Sequence, residues 1–223
     1  MLFRSVLTHS NWVNGAALDY FLVNDSVTFN AAGAANPNVN IPANVQPNFV
    51  KVSAATDYVF AGAAGIGGAA SITKTNTGKL TIQNTNQFTG GININQGIVS
   101  VATLADDGVD SPLGKTGTIL IEGGTLEYSG ANDTWTRPFN LGTNGQDGVS
   151  IVSATLTQTG TIGGNGALTK TGAGTLILNG NNGYSCGTFL GAGNLTISNV
   201  LGAGSGVINL TNQIGRASCR ERV

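Results

Sequence analysis

The sequence predicts an all-β fold of the solenoid type, and short apolar alternation is the first observation behind this prediction. Apolar residues occupy every second position in runs such as Leu80/Ile82 and Leu176/Leu178, and Gly or Asn bounds each run within a few positions. This pattern is typical of half-buried strands of about three to six residues. The 34 Gly residues suit sharp corners between such strands. We therefore expect many short strands and negligible helix.

An internal repeat is the second observation. Residues 71–101 align without a gap on residues 167–197, at a constant offset of 96 positions. Matched positions carry the same or related side chains: Lys74 with Lys170, Leu80 with Leu176, Asn86 with Asn182, Phe88 with Tyr184, and Gly97 with Gly193. Self-similarity at a fixed spacing is typical of an array of stacked units.

The spacing inside each copy predicts the length of one coil. Leu80 and Val99 are 19 positions apart, and so are Leu176 and Leu195. A β-solenoid lays the strands of each coil onto those of the preceding coil, so that inward side chains stack as ladders. We expect Ile, Leu and Val on the inside, and hydrated Thr and Asn on the outside.

The chain divides into a lead-in and an array. Residues 6–60 hold Trp12, further aromatic residues and a loop-rich stretch with three Pro residues between positions 37 and 47. We expect a strand-rich lead-in or cap there, because a solenoid has to cover its first open edge. Residues 61–212 are expected to form the solenoid that contains both repeats.

Both ends of the chain are expected to derive from sequencing adapters. The segments LFRS at 2–5 and IGRASCRERV at 214–223 back-translate to complementary adapter ends. We therefore set residues 1–5 and 213–223 aside. Six Lys and Arg then remain against ten Asp and Glu, for a formal net charge of −4 instead of −1. The sequence is then expected to be a fragment of a longer gene product.

Low charge argues against several classes of partner. Charged residues make up 9 % of the chain, whereas about 25 % is usual. The six remaining cations are scattered, so the sequence predicts neither a basic patch for nucleic acid nor a basic amphipathic helix for a membrane surface. Cys219 lies in the adapter-derived tail, which leaves Cys186 alone, and no intrachain disulfide is expected.

The repeat unit resembles a known family. GALTKTGAGTLILNGNNGYSCGTFLGAGNLTI at 166–197 and its partner from position 71 are similar to the autotransporter-associated β-strand repeat. Asn76, Lys79 and Cys186 are mild departures from the family pattern. The resemblance implies a right-handed parallel β-helix within an exported passenger. It also implies a location at the extracellular or outer-membrane surface of a Gram-negative-type bacterium.

Three groups of residues are candidates for chemistry, and each also has a structural interpretation. Asp106, Asp107 and Asp110 offer oxygen atoms to calcium, but the closing Glu and further ligands of a calcium loop are missing. A solvated loop expelled from the coil is expected there, and calcium binding stays open. His9 has no evident partner. Cys186 has no second His to activate it and is expected to be a tolerated small residue.

The recurring Lys and aromatic positions are expected to be structural. Lys74 and Lys170 recur in register, and we expect each stem to cover the edge of a coil while the amine reaches water. Phe88 and Tyr184 also recur. A stacked aromatic core is favoured over a sugar-binding platform for them.

These residues and the resemblance together favour a non-catalytic structural or adhesive stalk in a large exported surface protein. Expected partners are cell-surface glycans or other cells, and flanking repeats of the same chain. Cofactors, metals, nucleic acid and membrane contact by this segment are not expected. The alternative is a polysaccharide lyase or glycosidase, since these enzymes share the β-helix fold. A glycosidase needs two facing carboxylates, and Glu122 and Glu127 beside a Gly-Gly turn do not predict such a pair.

Overall fold

The chain winds into coils of short parallel strands. The computed structural model describes residues 12–14, 17–19, 22–143 and 146–210. His9 and the two ends that are expected to derive from adapters lie outside these residues, so the expectations for them stay predictions. Within the described residues the helical structure consists of one 3-10 turn, Ala31–Gly33. The predicted all-β composition is confirmed.

The strands, in chain order, are β1 Trp12–Asn14, β2 Ala17–Asp19, β3 Ser26–Asn30, β4 Asn38–Asn40, β5 Phe49–Ser53, β6 Tyr58–Ala61, β7 Ser71–Thr75, β8 Lys79–Ile82, β9 Ile92–Ile94, β10 Ile98–Val101, β11 Ile119–Ile121, β12 Thr125–Tyr128, β13 Asp133–Trp135, β14 Phe139–Leu141, β15 Gln146–Ile151, β16 Thr155–Gln158, β17 Ile162–Gly164, β18 Ala167–Thr171, β19 Thr175–Leu178, β20 Thr188–Leu190, β21 Asn194–Ile197 and β22 Ile208–Leu210.

Three parallel sheets line the sides of the solenoid. Sheet 1 contains β3, β5, β7, β9, β11, β14 and β17. Sheet 2 contains β4, β6, β8, β10, β12, β15, β18, β20 and β22, and sheet 3 contains β13, β16, β19 and β21. The strands β1 and β2 form a separate antiparallel pair. Because the chain visits sheet 2 once per coil, its nine strands correspond to about eight turns. The predicted β-solenoid is confirmed.

The predicted coil length of 19 residues is confirmed by the strand register. Val99 pairs with Leu80 between β10 and β8, and Leu195 pairs with Leu176 between β21 and β19. All four side chains are buried, and along β8 and β19 the residues that alternate with buried ones are half-buried. Other coils are longer because loops leave the corners, as in the step of 27 positions from Val99 to Leu126.

The coils begin well inside the segment expected to be a lead-in. Strands β3 and β5 belong to sheet 1, and β4 and β6 belong to sheet 2, so both sheets run across position 60 without a break. The ring of Phe29 lies 5.7 Å from that of Tyr58 and 4.9 Å from that of Phe60, measured between centroids. Phe29, Tyr58 and Phe60 therefore fill the interior of the first coils.

The two repeat copies lie on different sides of the solenoid. Strand β7 of the first copy is in sheet 1, whereas its counterpart β18 is in sheet 2. In the same way, β8 is in sheet 2 and its counterpart β19 is in sheet 3. Four further strands of sheet 1 (β9, β11, β14 and β17) separate β7 from β18, so the offset of 96 positions corresponds to four turns and one side. Equivalent outward residues of the two copies therefore point in different directions.

Leu176→Asp is expected to destabilise the solenoid severely. Leu176 is 2 % exposed and stacks between Leu156 and Leu195, and an unpaired charge in such a ladder costs several kcal/mol. The matched control is Ile177→Asp, at the neighbouring, half-buried outward position, with an expected loss of about 1 kcal/mol or less. Asp107→Ala, in an exposed loop, should change stability by about 0.5 kcal/mol. Chemical denaturation measures all three, and equal losses for the two strand variants would contradict the burial pattern.

Candidate functional site

The recurring residues of the repeat form the candidate site, and the first of them is a buried lysine. Lys74 points inward from β7 and is 1 % exposed. Its Nζ donates hydrogen bonds to the backbone oxygens of Thr75 at 2.9 Å and Asn76 at 2.6 Å. A third bond, at 3.3 Å, reaches the backbone oxygen of Gln96 in the next coil. The ammonium thus closes the corner between sheets 1 and 2 and joins two coils.

Lys170 repeats this arrangement at the corner between sheets 2 and 3. Its Nζ donates to the backbone oxygens of Thr171, Gly172 and Ala192, at 2.6, 2.9 and 3.2 Å. The expectation that both amines reach water is wrong, because three backbone carbonyls take the place of water around each. Burial lowers the pKa of both Lys74 and Lys170 to about 8. Both lysines have a structural position, as their recurrence predicted.

A buried asparagine in each copy joins three successive coils. Its side-chain oxygen accepts from a backbone N–H of the preceding coil, and its side-chain nitrogen donates to a backbone oxygen of the following coil. The bonds are Ile66 N to Asn86 Oδ1 (2.8 Å), Asn86 Nδ2 to Pro112 O (3.0 Å), Ile162 N to Asn182 Oδ1 (2.7 Å) and Asn182 Nδ2 to Gly202 O (2.6 Å). Polar groups buried inside a protein need such partners, and here they also set the stacking of the coils.

The recurring aromatic residues are buried in the interior. Phe88 and Tyr184 are both fully buried, so neither offers a face to a sugar. The hydroxyl of Tyr184 lies 2.6 Å from Oγ1 of Thr188, which donates to the backbone oxygen of Ala203. The position that corresponds to Thr188 is Ile92 in the first copy. The copy with Tyr184 therefore has the hydroxyl of Thr188 at this position, and the copy with Phe88 has the apolar Ile92.

The departure at Asn76 is explained by the backbone. Asn76 has φ of 64°, and its counterpart Gly172 has φ of 74°. Asn is one of the few residues with a side chain that tolerates this left-handed conformation. Gly97, with φ of 74°, also approaches the backbone oxygens of Asn76 and Gly78 so closely that a Cβ would collide with them. The corner therefore accepts Gly or Asn at position 76 and its counterpart 172, and requires Gly at position 97.

The three aspartates of the exposed loop have separate protein partners. Asp106 Oδ1 accepts from the backbone N–H of Thr136 at 3.2 Å. Asp107 Oδ1 lies 3.7 Å from Nε of Arg137, and Asp110 Oδ1 lies 3.7 Å from Nζ of Lys115. Within the described part of the chain, no group of three or more His, Cys, Asp or Glu residues is placed to hold a metal ion.

Arg137 organises this loop, and the sequence did not single it out. The side chain is 1 % exposed. Its Nη1 and Nη2 atoms donate to four backbone oxygens, those of Leu113 (3.3 Å), Gly114 (2.9 Å), Thr116 (2.8 Å) and Gly117 (3.1 Å). A guanidinium suits this task because it holds its donors in a fixed plane. The loop that leaves the coil at 102–118 is thereby tied to the next coil.

The other candidate residues have different partners. Glu122 Oε1 accepts from the backbone N–H of Thr143 at 2.9 Å. Glu127 Oε1 instead forms an ion pair with Lys79 Nζ at 2.8 Å. Cys186 is exposed, and its Sγ lies 2.8 Å from the backbone oxygen of Asn165.

Among the described residues, no helix is long and apolar enough to cross a membrane.

Comparison with known proteins agrees with this arrangement. Residues 72–101 and 168–199 match the family model described as passenger-associated-transport-repeat. The chain is also 42 % identical over 125 residues to the adhesin BmaC autotransporter of Brucella suis biovar 1 (strain 1330). That match covers 53 % of this chain and 4 % of the relative, so the chain spans a small fraction of the relative's length. No solved structure matches the chain.

These matches identify two passenger repeats of the autotransporter type, at the positions that carry the buried Lys, Asn and aromatic residues. The recognition made from the sequence is confirmed. The matches support a segment of an exported, surface-associated protein.

Arg137→Met is expected to release the loop at 102–118. Four backbone oxygens lose their donor, which should lower the free energy of unfolding by about 3 kcal/mol. Amide exchange should accelerate at Gly108, whose N–H donates to the backbone oxygen of Lys115. It should also accelerate at Lys115, whose N–H donates to the backbone oxygen of Phe88. The control is Lys115→Met, which removes the exposed ion pair between Lys115 and Asp110. This pair has the same separation, 3.7 Å, as that between Arg137 and Asp107, and its loss should change stability by about 0.5 kcal/mol. Protection that is the same in both variants would contradict the assignment.

The buried lysines predict a pH dependence of stability. Their folded-state pKa of about 8 lies below the ordinary value of 10.5, so between these values the unfolded chain binds more protons. The free energy of unfolding should then rise with pH from about 8. The double variant Lys74→Met, Lys170→Met should lose this rise, and Lys51→Met should keep it.

Denaturation curves between about pH 7.5 and 9.5 measure the effect. Higher pH is avoided because burial also raises the pKa of Tyr58 and Tyr184, and their ionisation acts in the opposite direction. A slope that persists in the double variant would assign the effect to other groups.

Proposed function

We propose that this segment is a non-catalytic rod within an exported bacterial surface protein, and that its outer sides make adhesive contacts. The observation that carries the rod is the burial of the recurring Lys, Leu, Asn and aromatic side chains. Lys74 and Lys170 are committed to backbone carbonyls, and Asn86 and Asn182 to backbone groups of adjacent coils. Duplication of the repeat thus serves the stacking of coils and the length of the rod.

The outer sides support distributed contacts. On sheet 3, Thr157, Ile177 and Thr196 form one outward ladder, and Thr155, Thr175 and Asn194 form a second. These side chains are uncharged and offer hydroxyl, amide and methyl groups. Many weak contacts along a rod add up to strong attachment when they act together. The similarity to an autotransporter adhesin supports the same role and a location at the bacterial surface.

The commitment of the carboxylates supports a non-catalytic role. Glycoside hydrolysis needs one carboxylic acid and one carboxylate on either side of the bond that breaks. Glu122 and Glu127 have different partners, a backbone N–H and Lys79. In the exposed loop, Asp106 accepts a hydrogen bond from Thr136, and Asp107 and Asp110 form ion pairs with Arg137 and Lys115.

The test couples the full chain to beads and measures their attachment to epithelial cells and to a panel of acidic and neutral polysaccharides. Attachment is expected, and it should fall when Thr157→Glu and Thr196→Glu place charges on the outer side of sheet 3. Thr73→Glu tests the outer side of sheet 1 in the same way, and a loss confined to the sheet 3 variants would assign the adhesive contacts to sheet 3. If beads that carry the folded protein bind nothing, the adhesive role is rejected and only the role as a rod remains. Cleavage of a polysaccharide that disappears with Glu122→Gln would overturn the non-catalytic assignment.

A further inference from the structure

Within the described part of the chain, the carboxyl group of Asp147 is buried inside the solenoid and forms no ion pair with a cation. Asp147 belongs to β15 and lies on the same side of that strand as the inward residues Val149 and Ile151. Its side chain is 0 % exposed. Oδ1 accepts a hydrogen bond of 2.7 Å from the backbone N–H of Gly123, in the preceding coil. Oδ2 is buried and has no hydrogen-bond partner.

The surroundings of Oδ2 suit a proton donor better than an acceptor. A side-chain carbon added at Gly166, in the following coil, would collide with both Asp147 Oδ2 and the backbone oxygen of Gly142. The two oxygen atoms therefore border the same small space. The N–H of Gly142 donates its hydrogen bond to the backbone oxygen of Ile121, at 2.6 Å, and its influence on Asp147 is the smallest of those that set the pKa of this carboxyl. An ionised carboxylate offers only acceptors, whereas a protonated one has an O–H to donate.

The charged groups near Asp147 do not favour its ionised form. Glu122, at the corner between β11 and β12, adds a negative charge that raises the pKa of Asp147. Glu127 is paired with Lys79 on β8. Lys170 on β18 points its Nζ at the carbonyls of the corner at its own end of the strand. Among the described residues, the elements packed against Asp147 thus supply no free cation to it.

We infer that Asp147 is a proton-operated clasp, which joins the coils on either side of it when it is protonated and loosens them when it ionises. In the closed form Oδ1 accepts from Gly123 N–H and the Oδ2 hydroxyl donates to Gly142 O. In the open form the same corner holds a buried negative charge beside Glu122. The clasp makes the middle of the rod tighter in acidic surroundings.

The direction of the pH dependence follows from linkage. Burial is the largest effect and raises the pKa of Asp147 from an ordinary value of 3.8 to about 6, although the backbone N–H groups of Gly123 and Gly142 lower it; the negative charge of Glu122 adds to the rise. The folded chain therefore binds more protons than the unfolded chain between these values. The contribution of the clasp is complete below about pH 4 and is lost as the pH rises through about 6.

The first measurement is a carbon-13 nuclear magnetic resonance titration of the side-chain carboxyl groups in the full, unaltered chain. Asp147 is expected to titrate well above the range of ordinary aspartates, and Glu122→Gln should lower its midpoint. A midpoint of Asp147 at about 4 or below would overturn the inference, because the group would then be ionised at all relevant pH values. This readout needs no variant of Asp147 to fold.

The second measurement compares Asp147→Asn with the unaltered chain by denaturation between about pH 4.5 and 7.5. The amide keeps an acceptor for Gly123 N–H and gains a permanent donor for Gly142 O. The unfolding equilibrium constant of the unaltered chain should rise about tenfold or more over this range relative to that of the variant. Asp110→Asn, at an exposed aspartate, is the control and should follow the unaltered chain. A variant that folds but is less stable than the unaltered chain at pH 7.5 would overturn the clasp.

Discussion

The whole rod depends on how backbone groups are satisfied at the corners of the solenoid. Within each sheet the strands of neighbouring coils bond to one another, but at a corner the chain turns and leaves carbonyl groups buried between coils. Buried backbone groups without partners are costly. Lys74 and Lys170 meet this need with three donors each, and Arg137 meets it with four bonds at the exposed loop. Each of these side chains reaches a second coil, so the same bonds also hold the coils in order.

The buried residues of the repeat therefore serve the bonding of the backbone at the corners, and not the outer surface. The two copies of the repeat are four turns and one side apart, yet the buried lysine makes equivalent bonds in both. A motif selected for its outward side chains would lose its alignment after such a rotation. The outward ladders instead combine residues from unlike segments, as Thr134, Thr157, Ile177 and Thr196 do on sheet 3. The surface of the rod can thus vary while its corners repeat.

The sequence predicted what depends on local periodicity and repetition. The alternation around Leu80 and Val99 placed both residues inside and one coil apart. The same alternation contained the signal for the burial of Lys74, since it lies two positions after Ile72 on the same side of β7, but a lysine is usually assigned to the surface. Arg137 lies on the side of buried Trp135 and Phe139. Its partners are 20 to 24 positions away and occur once, so no repeat revealed them.

The buried charged residues of the solenoid help to fix the register of its strands. A slip of one residue along a strand exchanges its inward and outward side chains. In β7 such a slip would expose Ile72 and remove the ammonium of Lys74 from the carbonyls that it bonds. An all-apolar ladder opposes a slip only through burial, whereas a lysine, an asparagine or a protonated Asp147 bonds to particular atoms of neighbouring coils. Between about pH 6 and 8 both lysines and Asp147 are charged and buried. In that range the specificity of register is therefore obtained at the expense of stability, and acid relieves one of the three charges.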